Sequence, residues 1–302
     1  MLRRKQKHVL IKFFSMFSVV RGYNILLIVL AQYLAAIFIF GKHLGLKEIV
    51  LDSYLFMLIL ACSASIAGGY IINNFYDSEK DLINRPNKSM LDRLVSQNTK
   101  LSLYFVLNFS AVIMASYVSF RSVLFFAAYI FGIWFYSHKL KRFAVVGNVV
   151  SALLTITPFF ILLIYFKQIS IVIFLHASFL FLLVLTREVV KDLENIKGDI
   201  TLDYKTIPIE FGIPAAKQII TTLIALTLIP VYYLISNHKV GHMEIYFYAA
   251  IVLLFLFVIL LWKYQTKKQY VLLHILLKFI IFSGVISILL IDVSLVINRI
   301  FN

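Results

Sequence analysis

Two short stretches carry most of the side chains that could do chemistry. One runs Asn73-Asn74-Phe75-Tyr76-Asp77-Ser78-Glu79-Lys80-Asp81, and the other runs from Arg187 to Asp199. The chain holds 14 acidic residues; residues 77–92 contain four of them (Asp77, Glu79, Asp81, Asp92) and residues 188–210 contain six (Glu188, Asp192, Glu194, Asp199, Asp203, Glu210). At 100° per residue, Asn73, Asp77 and Asp81 fall on one side of a helix that continues through residue 81, with Asn74 beside Asp81 and Glu79 pointing elsewhere. Glu188, Asp192, Asn195 and Asp199 fall within a band of about 60° on a second helix, with Arg187 and Glu194 facing away. Gly198 is expected to end that second helix.

Strips of carboxylate and amide oxygens suit Mg²⁺, which keeps several waters and bridges one or two carboxylates to substrate phosphates. Two such strips facing each other would clamp one diphosphate. Carboxylates gathered without a cation repel, and one of them takes up a proton. The candidate metal ligands are therefore Asn73, Asp77, Asp81, Glu188, Asp192 and Asp199, and the expected catalytic carboxylates are Asp77, Asp81, Asp192 and Asp199. The opposing reading is a pair of charged loops at helix ends, where water solvates charge cheaply.

The elements that position these strips are membrane spans. Of 302 residues, 62% are hydrophobic and 14% charged. Apolar runs recur at about 24–40, 50–72, 101–120, 122–137, 145–166, 169–186, 217–235, 245–262 and 270–297, long enough for a polytopic membrane protein. Only Arg121 separates the third run from the fourth. The single cysteine, Cys62, rules out a disulfide within the chain.

The formal net charge of +15 is read as topology rather than as a nucleic-acid surface. With the N-terminus inside, nine spans place 22 basic residues on the cytoplasmic side and six on the other, leaving Lys278 within the ninth span. Both acidic stretches then lie on the cytoplasmic side of the cell's inner membrane. Residues 1–20 read as a basic interfacial segment leading into the first span, and residues 1–302 as one transmembrane domain. Asp77 and Asp192 are 115 residues apart, and Asp81 and Asp199 are 118 apart. Each stretch follows the second span of a four-span set, which suggests a duplicated four-helix unit plus one further helix.

Taken together, these residues resemble the UbiA superfamily of intramembrane prenyltransferases. The family's N-D-x-x-D-x-x-x-D motif is matched by Asn73, Asn74, Asp77 and Asp81. Its K-D-x-x-D-x-x-G-D motif is matched by Lys191, Asp192, Asn195, Gly198 and Asp199. Arg21 and Asn24 echo an R-P-x-N opening, and Asn84-Arg85-Pro86 echoes an N-[KR]-P segment. The run Tyr136-Ser137-His138-Lys139-Leu140-Lys141-Arg142, followed by Gly147-Asn148, is a further echo. Asn74 and Asn195 stand where the family usually has Asp, and each change removes a negative charge. Gly22 stands where the opening motif has Pro.

The resemblance implies an all-α bundle of nine transmembrane helices with a cavity open to the bilayer. It also implies Mg²⁺ ions holding an isoprenyl diphosphate, whose allylic carbon–oxygen bond ionises so that a lipophilic membrane acceptor captures the fragment. Metal ions and basic side chains would neutralise the departing diphosphate. An aromatic, water-poor cavity would shelter the cation. Arg21, Asn24, Asn73, Asn74, Lys88, Tyr136, Lys139, Lys141, Lys191 and Asn195 are the expected substrate contacts. The R-x-x-N opening and the form of the second motif lean toward the branch that prenylates geranylgeranylglyceryl phosphate-type ether lipids. Quinone-precursor and haem prenylation are the alternatives within the family. A secondary transporter and an inactive isoprenoid-diphosphate binder are the alternatives outside that chemistry. His176, His274, Lys278 and Asp292 lie in apolar runs, where ionisable residues usually have a function, but no catalytic role is assigned to them.

Overall fold

The computed structural model describes residues 14–236 and 240–293. Most of the expected basic N-terminal segment, including Arg3, Arg4, Lys5, Lys7 and Lys12, lies outside these residues, as do Lys239, Arg299 and residues 294–297 of the expected ninth span. Among the described residues the chain is helical with no strand. Among these residues nine helices are long and apolar enough to cross a membrane: Gly22–Phe40, Ser53–Tyr76, Gln97–Val118, Phe120–His138, Val146–Phe166, Ile171–Thr201, Gly212–Ser236, Gly241–Lys263 and Lys267–Leu290. In a bilayer each backbone N–H and C=O needs a partner within its own segment, and a helix supplies it.

Two boundaries differ from the sequence expectation. The third and fourth spans are separated at Ser119, not Arg121. Ser119 is extended (φ −171°, ψ 157°), and its hydroxyl accepts from the Ser122 N–H to cap the fourth span. The sixth helix does not end at Gly198 but runs for 31 residues to Thr201. At 1.5 Å per residue that is about 46 Å, well beyond a hydrocarbon core of about 30 Å. Its last turns, with Asp192, Asn195 and Asp199, therefore stand beyond the apolar section.

The chain forms two compact units. The first is Met1–Val29 with Ser53–Leu140, and the second is Leu30–Asp52 with Lys141–Asn302. In the first unit the second span packs against the third and fourth. Small residues permit the close approach: a Cβ on Gly68 would stand 2.8 Å from the Asn108 amide oxygen. In the second unit the sixth span is central, packing against the fifth, seventh and ninth. Fifteen of its residues are buried, which explains a helix carrying charge on several faces at its end.

Candidate active site

In the first unit the second span ends at Tyr76, and Asp77 occupies the position before a short helix, Ser78–Asn84, without a side-chain capping bond. The backbone barely breaks there. Asp77 N–H donates to Asn73 C=O at 2.9 Å and Asp81 N–H donates to Asp77 C=O at 2.8 Å. Those bonds keep Asn73, Asp77 and Asp81 one turn apart on one strip, all three half-buried, while Glu79 is exposed. The helix Pro86–Asp92 follows, with Pro86 at its first turn, where a missing N–H costs nothing.

Asn74 turns away from that strip. Its Nδ2 donates to Asp92 Oδ2 at 3.1 Å, and its Oδ1 accepts from Lys100 Nζ at 2.9 Å. Asn74, Asp92 and Lys100 are all buried. Asp92 also accepts from the Ser18 hydroxyl at 3.0 Å and has Lys88 Nζ at 3.7 Å. Asn74, expected to meet substrate, has both ends of its amide engaged in this network. Asp92 and Lys100 are the members that spacing did not single out.

Arg21 and Asn24 converge on one side chain. The Arg21 guanidinium lies over the Tyr70 ring, 5.0 Å from its centroid, and Asn24 Nδ2 donates to the Tyr70 hydroxyl at 3.2 Å. Arg21 is left-handed (φ 50°), and the Phe17 ring lies so close to Gly22 that any Cβ there would overlap it. Glycine rather than proline at this position follows from that packing. Lys88 is half-buried on the same unit. Burial, and then the nearby Arg21 charge, hold its pKa below the ordinary lysine value, against the pull of Asp92 and Asp81. Tyr136 is half-buried near the end of the fourth span, and Lys139 just beyond it is exposed.

In the second unit Asp192 is half-buried, and its Oδ2 accepts from Asn148 Nδ2 at 2.7 Å. Asn148 starts the fifth span and fixes the carboxylate's orientation. Asn195 and Asp199 follow on the same face, both buried. The chain then turns through Asp203 (φ 53°) so that Tyr204 N–H donates to Asp199 C=O at 2.9 Å. Arg142 lies over the Tyr204 ring at 5.5 Å, and its C=O accepts from Lys205 N–H at 3.0 Å. Lys141 beside it is half-buried.

Glu188 departs from the expected role of metal ligand. Its Oε1 accepts from Arg187 Nη2 at 2.7 Å and its Oε2 from Lys191 Nζ at 3.0 Å. With both oxygens held by cations, Glu188 is the counter-charge of Arg187 and Lys191. Arg187 reaches its neighbour Glu188, and Glu194 points off the strip to the ninth span. Glu194 is buried and bonds His274 Nδ1 of the ninth span at 2.8 Å.

The oxygen donors left on each strip fit a hard divalent cation: Asn73, Asp77 and Asp81 on one unit, Asp192, Asn195 and Asp199 on the other. One atom speaks for this directly. Asn195 Oδ1 is buried, and among the described residues nothing donates to it. It sits between Asp192 and Asp199 on their shared face, where a cation would satisfy it. Among the described residues no group of three or more His, Cys, Asp or Glu is gathered closely enough to hold a metal on its own, so a cation on either strip would also need amide, water or phosphate oxygens. Elsewhere in the second unit an apolar cavity of about 100 Å³ is lined by residues including Phe159, His176, Phe179, Leu183, Tyr246 and Val285.

Among the described residues, aspartates stand at the ends of the second and sixth spans of an all-helical membrane protein. Residues 29–282 match the profile of the UbiA prenyltransferase family, and this chain belongs to that family. It is a multi-pass membrane prenyltransferase. Digeranylgeranylglyceryl phosphate synthase of Thermococcus kodakarensis is 29% identical over 282 residues, covering 92% of this chain and 98% of that protein. The Thermococcus sibiricus enzyme of the same name is 33% identical over 221 residues, 71% of this chain and 76% of the relative. The Sulfurisphaera tokodaii enzyme of that name is 29% identical over 185 residues, and the match spans 66% of its length. Among solved structures, one described as giving insight into digeranylgeranylglyceryl phosphate synthase in membranes matches with a TM-score of 0.70 at 18% identity, covering 92% of this chain and 97% of that one. A UbiA homologue from Archaeoglobus fulgidus bound to GPP and Mg²⁺ matches with a TM-score of 0.66 at 16% identity, covering 91% and 99%.

Proposed function

We propose that this prenyltransferase moves an isoprenyl group from its diphosphate to the free hydroxyl of a glycerol-phosphate ether lipid, releasing diphosphate. The buried, undonated Asn195 Oδ1 between Asp192 and Asp199 carries the reading, because it marks that face as built to receive a cation. The long alignment with relatives named digeranylgeranylglyceryl phosphate synthase supports the acceptor class.

In this reading Asp77 and Asp81 of the first strip, and Asp192 and Asp199 of the second, serve the binding of the isoprenyl diphosphate. Bound Mg²⁺ would supply the positive charge that lets the diphosphate leave. Asn148 keeps Asp192 turned toward its load. Lys88 and Arg21 add positive charge beside the first strip. The bond between isoprenyl C1 and the diphosphate oxygen breaks, the acceptor oxygen bonds to C1, and the acceptor hydroxyl loses its proton. The apolar lining of the spans keeps water from competing for that carbon. The bias of basic residues supports a cytoplasmic position for both strips.

A transporter would carry its acids near the bilayer midplane at broken helices, whereas these acids lie at span ends. The test is turnover of radiolabelled geranylgeranyl or farnesyl diphosphate by purified protein. Asp77→Ala and Asp192→Ala each abolish product formation; full activity in either overturns the proposal.

A further inference from the structure

A histidine in the wall of the second unit's apolar cavity takes no part in the reaction outlined above. His176 lines that cavity, five residues into the sixth span, which begins at Ile171. Its Nδ1 lies 2.8 Å from the Val172 carbonyl oxygen of its own helix. A carbonyl oxygen only accepts, so Nδ1 carries the proton and, in the neutral ring, Nε2 is an acceptor. Nε2 is buried, and among the described residues nothing donates to it. A buried acceptor left unmet costs about 1–3 kcal/mol.

The cavity stands apart from the aspartates. His176 precedes Asp192 by 16 residues, about 24 Å along the sixth span. At 100° per residue, the lining residues His176, Phe179, Leu180 and Leu183 fall on the side of that helix away from Asp192 and Asp199, with Ala177 at the margin. Met243 and Tyr246 at the start of the eighth span, and Ile288 at the end of the ninth, also line the cavity. It therefore sits at the end of the unit opposite the aspartates. From the start of the sixth span to His176 is about 8 Å, a short path for a group entering from that membrane surface.

Size and chemistry select the occupant. A volume of about 100 Å³ is several times the roughly 30 Å³ share of one water, and a buried water needs two to four polar partners. The Tyr246 hydroxyl already donates its proton to Ile280 C=O at 3.0 Å, so it has none to offer a ligand. An apolar wall excludes a charged group. A cavity of about 150 Å³ admits benzene; this smaller one suits a slender aliphatic chain better than a ring. What remains is an uncharged chain whose terminal hydroxyl donates to Nε2.

We propose that this cavity binds the hydroxyl end of an uncharged aliphatic alcohol of the membrane, with His176 Nε2 as the acceptor. The site does not depend on the reaction proposed above.

Full-length protein in nanodiscs is titrated with trifluorohexanol, trifluorohexane and fluorophenol, and binding is followed by fluorine NMR against protein-free nanodiscs. After partition into the lipid is subtracted, the alcohol binds saturably and at least about 5-fold tighter than the alkane. His176→Phe removes that preference and leaves alkane binding as in wild type. Equal binding of alcohol and alkane to wild type, or a preference that survives His176→Phe, overturns the site. Tighter binding of the phenol than of the alkanol overturns the aliphatic occupant. Absence of saturable binding, the outcome if water alone meets Nε2, overturns the proposal outright. Should His176→Phe fail to fold, the wild-type comparison of alcohol with alkane decides.

Discussion

Lys100 Nζ donates to Asn74 Oδ1 across 2.9 Å, inside the first unit and shielded from water. The other end of the Asn74 amide donates to Asp92, so one neutral side chain links a buried cation to a buried anion. An amide can donate and accept at once, and an ionised carboxylate can only accept. Asn74→Asp, which restores the residue usual in the family, would place two carboxylates side by side and remove the donor to Asp92. The expected cost is about 1–3 kcal/mol, read as a lower melting temperature in detergent, with no gain in Mg²⁺ affinity. A variant as stable as wild type that binds Mg²⁺ more tightly would contradict this role.

Asn148 and Asp192 stand in the relation of a support and the group it aims. Residues that orient metal ligands typically change affinity or activity by about 10- to 100-fold when removed. Asn148→Ala should lower activity by about that factor, and raised Mg²⁺ should restore part of it. Loss that no Mg²⁺ concentration relieves would point to a different role.

Glu188 separates structural from metal-binding carboxylates. Removing one partner of a buried ion pair costs about 3–5 kcal/mol, because the other charge is left uncompensated. Glu188→Gln should therefore lower thermal stability strongly, with the Mg²⁺ dependence of whatever folds remaining as in wild type. A shifted Mg²⁺ requirement in a stable variant would return Glu188 to the ligand set.

Lys88 gives a pH signature. Its pKa is lowered mainly by burial and then by Arg21, so its charge is present below that depressed value and is lost as pH rises through it, earlier than for a solvated lysine. If that charge helps hold diphosphate, KM for the donor rises along an alkaline limb. The same shift means that the unfolded chain keeps its proton to higher pH, so Lys88 itself favours folding slightly more as pH rises through this window. A KM increase therefore cannot be assigned to unfolding at this residue. Lys88→Arg should remove the limb, because arginine stays charged; an unchanged pH profile in that variant would exclude Lys88.

Much of this was legible in the chain before folding. Hydrophobic run length gives nine spans because a bilayer enforces length and apolarity together. The four-residue spacing of Asn73, Asp77 and Asp81 survives because backbone bonds carry through Asp77. Other features depend on partners remote in sequence. That Glu194 meets His274 rather than water is set by which helix packs on that side of the sixth span. Asn74 is drawn into the interior by Lys100 and Asp92. Gly198 costs its helix about 1 kcal/mol, but packing on neighbouring helices outweighs that. The Glu188–Lys191 pair did carry a local signal, since residues three apart on a helix are neighbours.

The central claim is that the aspartates of each strip are needed for Mg²⁺-dependent binding of an isoprenyl diphosphate. Its most direct measurement is Mg²⁺-dependent binding of an unreactive isoprenyl diphosphate analogue to wild type, Asp77→Ala and Asp192→Ala in nanodiscs. The account predicts that each single substitution weakens binding by about 100-fold or more and that the double variant is little worse than either. Wild-type affinity in one of the single variants would contradict it.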